Sequence, residues 1–142
     1  MNIAIVGTGY VGLVSGTCFA DTGAIVTCVD VDEKKIERLQ QGSITIFEPG
    51  LDEMVAKNVK AGRLKFINNL ADVVNEQQII FSAVGTPPDD DGSADLKYVL
   101  QVAKTIGENI NKYLVVVTKS TVPVGTAKKV RDTIQAELDR RG

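Results

Sequence analysis

The 142-residue sequence contains no histidine, only two cysteines and no large excess of either charge. Histidine is the commonest general base and the commonest metal ligand in proteins, so chemistry within these residues has to rely on other side chains. The 16 basic and 18 acidic residues give a net charge of −2. Such a chain lacks the clustered basic face that binding to duplex nucleic acid requires, and we expect no nucleic-acid partner.

Long hydrophobic runs are also absent. No stretch approaches the roughly 18 apolar residues that span a bilayer. The apolar run at residues 2–6 is too short for a signal peptide, and no basic residues precede it. We therefore expect a cytoplasmic protein that does not contact a membrane. Since nothing indicates secretion, Cys18 and Cys28 are predicted to be buried packing residues and not a disulfide.

The hydrophobic pattern of the chain alternates between short β-branched runs and longer helical stretches. Helices are predicted over 95–110, where Asp95 can cap the first turn, and within 32–42 and 126–138. The predicted strands are 2–6, 25–29, 64–67, 79–84 and 114–118. This order predicts an α/β fold, a Rossmann-like doubly wound parallel sheet of about five to six strands with helices on both faces. Segments 45–50 and 85–94 are predicted loops.

A glycine motif, "GTGYVG", follows the first strand and opens a helix. In that context a G-x-G-x-x-G pattern is typical of a dinucleotide site. Gly7 permits the tight turn, Gly9 lets the backbone approach a diphosphate, and Gly12 lets the helix pack close to the strand. The diphosphate would lie at a helix N-terminus, where unpaired N–H groups and the helix dipole favour an anion.

The second predicted strand ends at Asp30, 18 residues after Gly12. A carboxylate in this position accepts hydrogen bonds from the adenosine ribose and repels a 2′-phosphate, which favours NAD over NADP as the cofactor. Lys34 and Lys35 follow, and a lysine that reaches back toward the ribose could tolerate extra negative charge. Spacing alone equally allows Lys35 to lie on a solvated helix face.

The last predicted strand ends in an unusual polar run, Thr118, Lys119, Ser120 and Thr121. An unpaired buried hydroxyl costs about 1 to 3 kcal/mol, so these groups should face water or a ligand. In a doubly wound sheet Thr86 and Thr121 would share the rim with Gly9, near the nicotinamide half of a cofactor. The alternative is that Ser120 and Thr126 only cap the last helix.

Taken together and in order, "GTGYVGL", "VDVDEKKIERLQQG", "FEPGL", "VGTPPDDDGSADLKYV" and "KSTVPVGT" resemble the amino-terminal domain of the UDP-glucose/GDP-mannose dehydrogenases. The resemblance implies that Val11, Asp30, Lys35, Thr86 and Thr121 contact NAD. Tyr10 and the glycines of the turn, Gly7, Gly9 and Gly12, complete the predicted cofactor-binding set. It also implies a catalytic role for Thr121, whose hydroxyl could orient a water and stabilise an oxyanion.

Members of this family oxidise the C6 hydroxyl of a nucleotide sugar to a carboxylate, with two NAD molecules in succession and a thioester to a cysteine. UDP-glucose is the sugar nucleotide we favour, and GDP-mannose and UDP-N-acetylmannosamine are alternatives. We interpret residues 1–142 as the NAD-binding domain of a longer enzyme whose second domain holds the catalytic cysteine. Neither Cys18 nor Cys28 lies in that cysteine's context. The resemblance further implies a homodimer for the complete enzyme, and NAD binding without catalysis for the fragment.

Two other functions remain open from the sequence. One is a regulatory NAD-sensing module of a transport system, which would not need "FEPGL" or "KSTVPVG". The other is the cofactor domain of a different two-domain dehydrogenase, against which the long loop "GTPPDDDGSADLKYV" argues. A short-chain dehydrogenase is excluded because it needs a lysine four residues after a tyrosine. Tyr10, Tyr98 and Tyr113 are followed at that spacing by Val14, Val102 and Val117.

Overall fold

A computed structural model describes residues 1–44, 46–86, 90, 95–120 and 122–142. Five strands form one parallel sheet in the order β3-β2-β1-β4-β5. They are β1 (Asn2–Val6), β2 (Ile25–Val29), β3 (Leu64–Ile67), β4 (Ile79–Ser82) and β5 (Val115–Thr118). The predicted doubly wound parallel sheet is confirmed, and the strand bounds differ only at the end of β4 and the start of β5.

Five α-helices connect and cover the strands. They are α1 (Tyr10–Asp21), α2 (Glu33–Gln40), α3 (Leu51–Lys60), α4 (Lys97–Asn109) and α5 (Thr126–Arg141), and two short 3₁₀ turns, Leu70–Asp72 and Val74–Glu76, lie between β3 and β4. Helix α3 was not predicted from the sequence. Its inward face is formed by Leu51, Val55 and the fully buried Asn58, and this amide interrupts the apolar stripe by which a helix is recognised.

The sheet carries a hydrophobic core on each face, because successive strand residues point to opposite sides. Ile3 and Ile5 of β1 belong to the core shared with α1, α2 and α3, whereas Ala4 and Val6 belong to the core shared with α4 and the 3₁₀ turns. Helices therefore lie on both faces, as predicted. This arrangement leaves the carboxyl ends of the strands as an open edge between the two layers.

The two cysteines differ in their environment. Cys28 in β2 is fully buried, and burial raises the pKa of its thiol to about 12. Cys18 is exposed, so the prediction that both cysteines are buried was wrong for this residue. The helix α1 turns its buried side, which includes Leu13 and Thr17, toward the sheet, and Cys18 lies off that stripe. Within the described ranges, no helix is long and apolar enough to cross a membrane.

Candidate functional site: a cleft at the carboxyl edge of the sheet

A cavity of about 690 Å³ lies where the carboxyl ends of β1, β2, β4 and β5 meet. Seven of the nine predicted site residues line it: Gly7, Gly9, Tyr10, Val11, Asp30, Lys35 and Thr86. Gly12 lies beneath the turn and not in the cavity wall, and Thr121 lies outside the described residues. Segments that are far apart in sequence thus converge on one cleft, as expected at the switch point of a doubly wound sheet.

The turn between β1 and α1 is built by three glycines with different constraints. Gly7 has a φ of +104°, and a Cβ there would lie 2.6 Å from the carbonyl oxygen of Ala83. A Cβ on Gly12 would lie 1.8 Å from the carbonyl oxygen of Gly7. Gly9, in contrast, has open space around its Cβ position. Gly7 and Gly12 therefore allow close backbone packing within the turn, and Gly9 leaves open space on the cavity side.

The start of α1 supplies unpaired donors to this cavity. The first intrahelical hydrogen bond runs from Leu13 N–H to the carbonyl oxygen of Gly9, and Gly9 provides no side-chain cap. The amides of Tyr10, Val11 and Gly12 precede that bond and have no intrahelical acceptor. A helix N-terminus of this kind attracts an anionic ligand through its N–H groups and its dipole.

Asp30, just after β2, is held by the glycine turn. Its Oδ2 accepts hydrogen bonds from Thr8 N–H at 3.0 Å and from the Thr8 hydroxyl at 2.6 Å, and its Oδ1 accepts one from Asp32 N–H at 3.0 Å. Burial raises the pKa of Asp30, but these hydrogen bonds and the charge of Lys35 outweigh it, so the pKa lies below the ordinary value of 3.8. Asp30 is therefore an ionised acceptor at neutral pH.

Lys35 reaches back from the first turn of α2 to the carboxylate of Asp30. Its Nζ lies 3.7 Å from Asp30 Oδ2, and its backbone N–H donates to Oδ1 of Asp32, the N-cap of α2. Lys35 also lines the cavity. Of the two positions that spacing allowed, the side chain adopts the one that faces the cleft.

The other end of the cleft is formed after β4 and β5 by Thr86, Lys119 and Ser120. The Ser120 hydroxyl donates to the carbonyl oxygen of Val84 at 2.7 Å, so it ties the segment after β5 to the segment after β4 and does not cap α5. Thr126 donates its hydroxyl to the carbonyl oxygen of Pro123. Of the polar run at the strand end, Lys119 and Ser120 thus line the cleft, and the Ser120 hydroxyl already has an acceptor within the chain.

Eleven of the 18 lining residues lie outside the predicted set, and among them Thr8, Tyr98 and Gln101 carry polar groups that were not expected at the cleft. Thr8 lies between two motif glycines, and its buried hydroxyl donates to Oδ2 of Asp30. Tyr98 and Gln101 are three residues apart at the start of α4, so they share one face beside the apolar stripe. That spacing is visible in the sequence, but only the fold shows that this end of α4 borders the strand tips.

These residues fit a dinucleotide. The cavity volume lies within the range of about 300 to 1,000 Å³ that is usual for small-molecule sites. One end holds the Asp30 carboxylate and the exposed apolar side chain of Val31, the centre holds the glycine turn, and the far end holds hydroxyl and ammonium groups. Ribose, diphosphate and a polar base would each meet a suitable group in that order.

Comparison with known proteins gives consistent matches. A model of the UDP-glucose/GDP-mannose dehydrogenase family, NAD binding domain, matches residues 1–142. A UDP-glucose 6-dehydrogenase of Bacillus subtilis (strain 168) is 56% identical over 134 residues, which cover 94% of this chain and 29% of that protein. A UDP-glucose 6-dehydrogenase of Rhizobium meliloti (strain 1021) is 54% identical over 136 residues, which cover 95% of this chain and 31% of that protein.

Solved structures show the same similarity. A UDP-glucose dehydrogenase from the archaeon Pyrobaculum islandicum superposes with a TM-score of 0.91 at 40% identity, over 96% of this chain and 32% of that chain. A GDP-mannose dehydrogenase from Pseudomonas aeruginosa superposes with a TM-score of 0.92 at 35% identity, over 96% of this chain and 32% of that chain. The chain thus spans about three tenths of the length of these relatives.

Proposed function

Because the chain belongs to the UDP-glucose/GDP-mannose dehydrogenase family and matches its NAD-binding domain over residues 1–142, we propose that it is the cofactor domain of a UDP-glucose 6-dehydrogenase. The identity to the two bacterial UDP-glucose 6-dehydrogenases, 56% and 54%, and to the archaeal UDP-glucose dehydrogenase, 40%, exceeds the 35% identity to the GDP-mannose dehydrogenase, which favours UDP-glucose as the sugar nucleotide. The family match does not support a regulatory NAD-sensing module.

One observation carries the proposal: an ionised carboxylate and an uncapped helix start border the same cleft. Asp30 would accept hydrogen bonding from the adenosine ribose, and the amides at the start of α1 would bind the diphosphate over Gly9. Thr8 already occupies Oδ2 with two hydrogen bonds and Asp32 N–H occupies Oδ1. A carboxylate has about four acceptor positions, so about one remains, on Oδ1, and the ribose would be held in a defined orientation.

The remaining predicted residues have supporting roles in the proposal. Lys35 adds to the hydrogen bonds that keep Asp30 ionised and places a cation near the adenosine half, while Tyr10, Val11 and Thr86 line the path of the cofactor. NAD, when bound, supplies the hydride acceptor for oxidation of the sugar C6 hydroxyl in two steps. The Thr121 hydroxyl is proposed to orient a water and stabilise an oxyanion beside the reacting carbon.

Residues 1–142 contribute the cofactor half of this reaction in the proposal. The catalytic cysteine belongs to the second domain implied by the family resemblance, so we expect this chain to bind NAD and not to oxidise the sugar by itself. The homodimer of the complete enzyme is likewise a prediction from the resemblance.

Calorimetric titration with NAD tests the proposal directly. Replacing Asp30→Asn should weaken NAD binding at least about tenfold, since hydrogen bonds to a charged group contribute about 1.5 to 3 kcal/mol each. Asp32→Asn is the matched control: it removes a carboxylate two residues away, outside the cavity wall, and keeps an N-cap acceptor for α2. Equal affinities in Asp30→Asn and Asp32→Asn would contradict the ribose assignment, and no NAD binding to the unmodified chain would contradict the function.

A further inference from the structure

We infer that Lys119 makes the cleft bind the reduced dinucleotide, NADH, more tightly than NAD⁺, by placing at the nicotinamide end an ammonium group that has no ion-pair partner among the described residues. The inference rests on the proposed function and adds a preference for one redox state of the cofactor. Its basis is the position of Lys119 in the cleft, the absence of an ion-pair partner within the described ranges, and the charge difference between the two cofactor forms.

The backbone of Lys119 is fixed at the sheet edge. Its N–H donates to the carbonyl oxygen of Ser82 at 2.8 Å, and the N–H of Ser120 donates to the same oxygen at 3.2 Å. The Ser120 hydroxyl adds a third link, to Val84. These bonds hold the chain after β5 against the end of β4, and from this position Lys119 lines the cavity.

The ammonium group of Lys119 is not neutralised within the part of the chain that the structure describes. The four ion pairs found there are Lys35–Asp30, Lys57–Asp21, Lys128–Asp132 and Arg140–Glu137. Two lysines therefore line the cleft, and they differ in kind: Lys35 is paired with Asp30, and Lys119 is not. Because Lys119 is exposed, solvent weakens its field, but none of the ion pairs in the described residues cancels its charge.

The strand order places the two lysines at opposite ends of the cleft. Lys35 lies beside the end of β2, Lys119 follows β5, and the glycine turn after β1 lies between them. With Asp30 at the adenosine end, the diphosphate at the turn and the dinucleotide extended across the switch point, Lys119 belongs to the nicotinamide end. The two lysines should thus act on different halves of the cofactor.

The two redox forms of the cofactor differ in charge only at the nicotinamide ring, which carries a positive charge in NAD⁺ and none in NADH. A cation at that end repels the oxidised ring and has no such effect on the reduced one. The expected preference is about threefold, the size of a unit-charge interaction across a few ångströms of solvated protein. By linkage, a site that favours NADH makes bound NAD⁺ a stronger hydride acceptor.

The test measures the affinities of three ligands, NAD⁺, NADH and ADP-ribose, for the unmodified chain, Lys119→Gln and Lys35→Gln. ADP-ribose has the diphosphate but no nicotinamide. Lys119→Gln should lower the ratio of NADH affinity to NAD⁺ affinity about threefold and leave ADP-ribose binding unchanged. Lys35→Gln is the matched control, because it removes the same charge at the adenosine end. It should lower the affinity for all three ligands by a similar factor. Circular dichroism of each variant checks that the fold is retained.

The outcomes separate the inference from the proposed function. If Lys119→Gln lowered the affinities for NAD⁺, NADH and ADP-ribose equally, Lys119 would act on the diphosphate and the inference would be overturned. An unchanged NADH-to-NAD⁺ ratio in Lys119→Gln would overturn it as well, while NAD binding to the unmodified chain would still support the cofactor domain. Failure of all three ligands to bind the unmodified chain would overturn the proposed function and this inference with it.

Discussion

The phenol hydroxyl of Tyr10 donates a hydrogen bond of 2.7 Å to Oε2 of Glu48 and so joins the glycine turn to the segment that leads into α3. Tyr10 is the first residue of α1, next to the proposed diphosphate position, and the carbonyl oxygen of Glu48 accepts from Leu51 N–H at the start of α3. The sequence motifs "GTGYVGL" and "FEPGL" are therefore in direct contact. Nothing in their separate patterns indicates this contact.

The charge of Glu48 should control the ionisation of Tyr10. The hydrogen bond to Glu48, followed by the negative charge of that residue, raises the pKa of Tyr10 above its ordinary value of 10.0. In Glu48→Gln the acceptor oxygen remains but the charge is lost, so the pKa of Tyr10 should fall toward the ordinary value. Ultraviolet titration of tyrosinate absorbance measures this, with Glu53→Gln in α3 as the control that should leave the titration unchanged.

The same bond predicts a pH dependence of the link between the turn and α3. A group whose pKa is raised on folding contributes stability below its unfolded pKa, and that contribution is lost as pH rises through the folded pKa. The Tyr10–Glu48 contact should therefore persist at neutral pH and be lost above about pH 10. An identical alkaline unfolding profile in the unmodified chain and Tyr10→Phe would contradict this.

Removing the Thr8 hydroxyl should destabilise the domain through Asp30. The Thr8 side chain is fully buried and its hydroxyl donates to a partly buried carboxylate at 2.6 Å, so Thr8→Val should lower the free energy of unfolding by about 1 to 3 kcal/mol at neutral pH. The pKa of Asp30 should also rise, because one of the hydrogen bonds that lower it is lost. Urea unfolding and carboxylate titration by NMR measure the two effects.

The pH dependence of this effect distinguishes it from simple loss of packing. The depressed pKa of Asp30 contributes stability above the unfolded value of 3.8, and the contribution is lost as pH falls through the lower folded pKa. The deficit of Thr8→Val should therefore shrink below about pH 4. Thr17→Val is the control: Thr17 is equally buried but donates to the carbonyl oxygen of Leu13, so its deficit should not vary with pH over this range.

Most of the sheet was predictable because its residues follow local rules. Short β-branched runs buried on both faces stand out against helical periodicity, and the strands β1, β2 and β3 lie where the pattern placed them. Gly42, the last residue of the segment 32–42 in which a helix was predicted, has a φ of +89°, the left-handed conformation in which a glycine commonly ends a helix. These features depend on neighbouring residues in the chain and require no knowledge of tertiary contacts.

The structural features that the sequence did not predict depend on contacts between segments that are distant in the chain. The α3 helix buries Asn58, whose amide oxygen accepts from the guanidinium of Arg63 and whose amide nitrogen donates to Asp21. A buried polar residue satisfied by partners from two other segments leaves no apolar signal in the sequence. Lys119 was expected to face water or a ligand, but its place beside the end of β4 likewise depends on the pairing of β4 with β5. For Thr121, the proposed role stays a prediction from the motif.

The three motif glycines should respond differently to alanine. In Gly12→Ala the new Cβ would meet the backbone carbonyl of Gly7 at 1.8 Å, so helix and turn cannot both keep their positions, and we expect a loss of several kcal/mol in the free energy of unfolding. In Gly9→Ala the Cβ meets nothing within 4 Å, and the fold should be retained. Thermal unfolding followed by circular dichroism measures the difference.

Gly9→Ala should instead impair ligand binding. Its Cβ would lie where the proposed diphosphate approaches the turn, so NAD affinity should fall while the melting temperature stays close to that of the unmodified chain. A variant with normal stability and normal NAD affinity would show that Gly9 does not lie under the diphosphate. Gly23→Ala is not a suitable control because Gly23 has a φ of +108°, which strains any other residue.

The approach of α1 to β2 predicts a compensating pair of substitutions. A Cβ on Gly16 would lie 2.9 Å from the sulfur of Cys28 and 3.2 Å from Cδ1 of Ile5, both of them side-chain ends and not backbone. Gly16→Ala alone should destabilise the domain by about 1 to 3 kcal/mol through overpacking, and Cys28→Ala alone should do so by leaving a small cavity.

In the double variant the methyl group of the new alanine at position 16 occupies the space of the sulfur. The loss in the free energy of unfolding should therefore be smaller than the sum of the two single losses by about 1 kcal/mol or more. Simple additivity in urea unfolding would show that the helix shifts away from the sheet to accommodate Gly16→Ala, and that Cys28 does not limit the packing distance between α1 and β2.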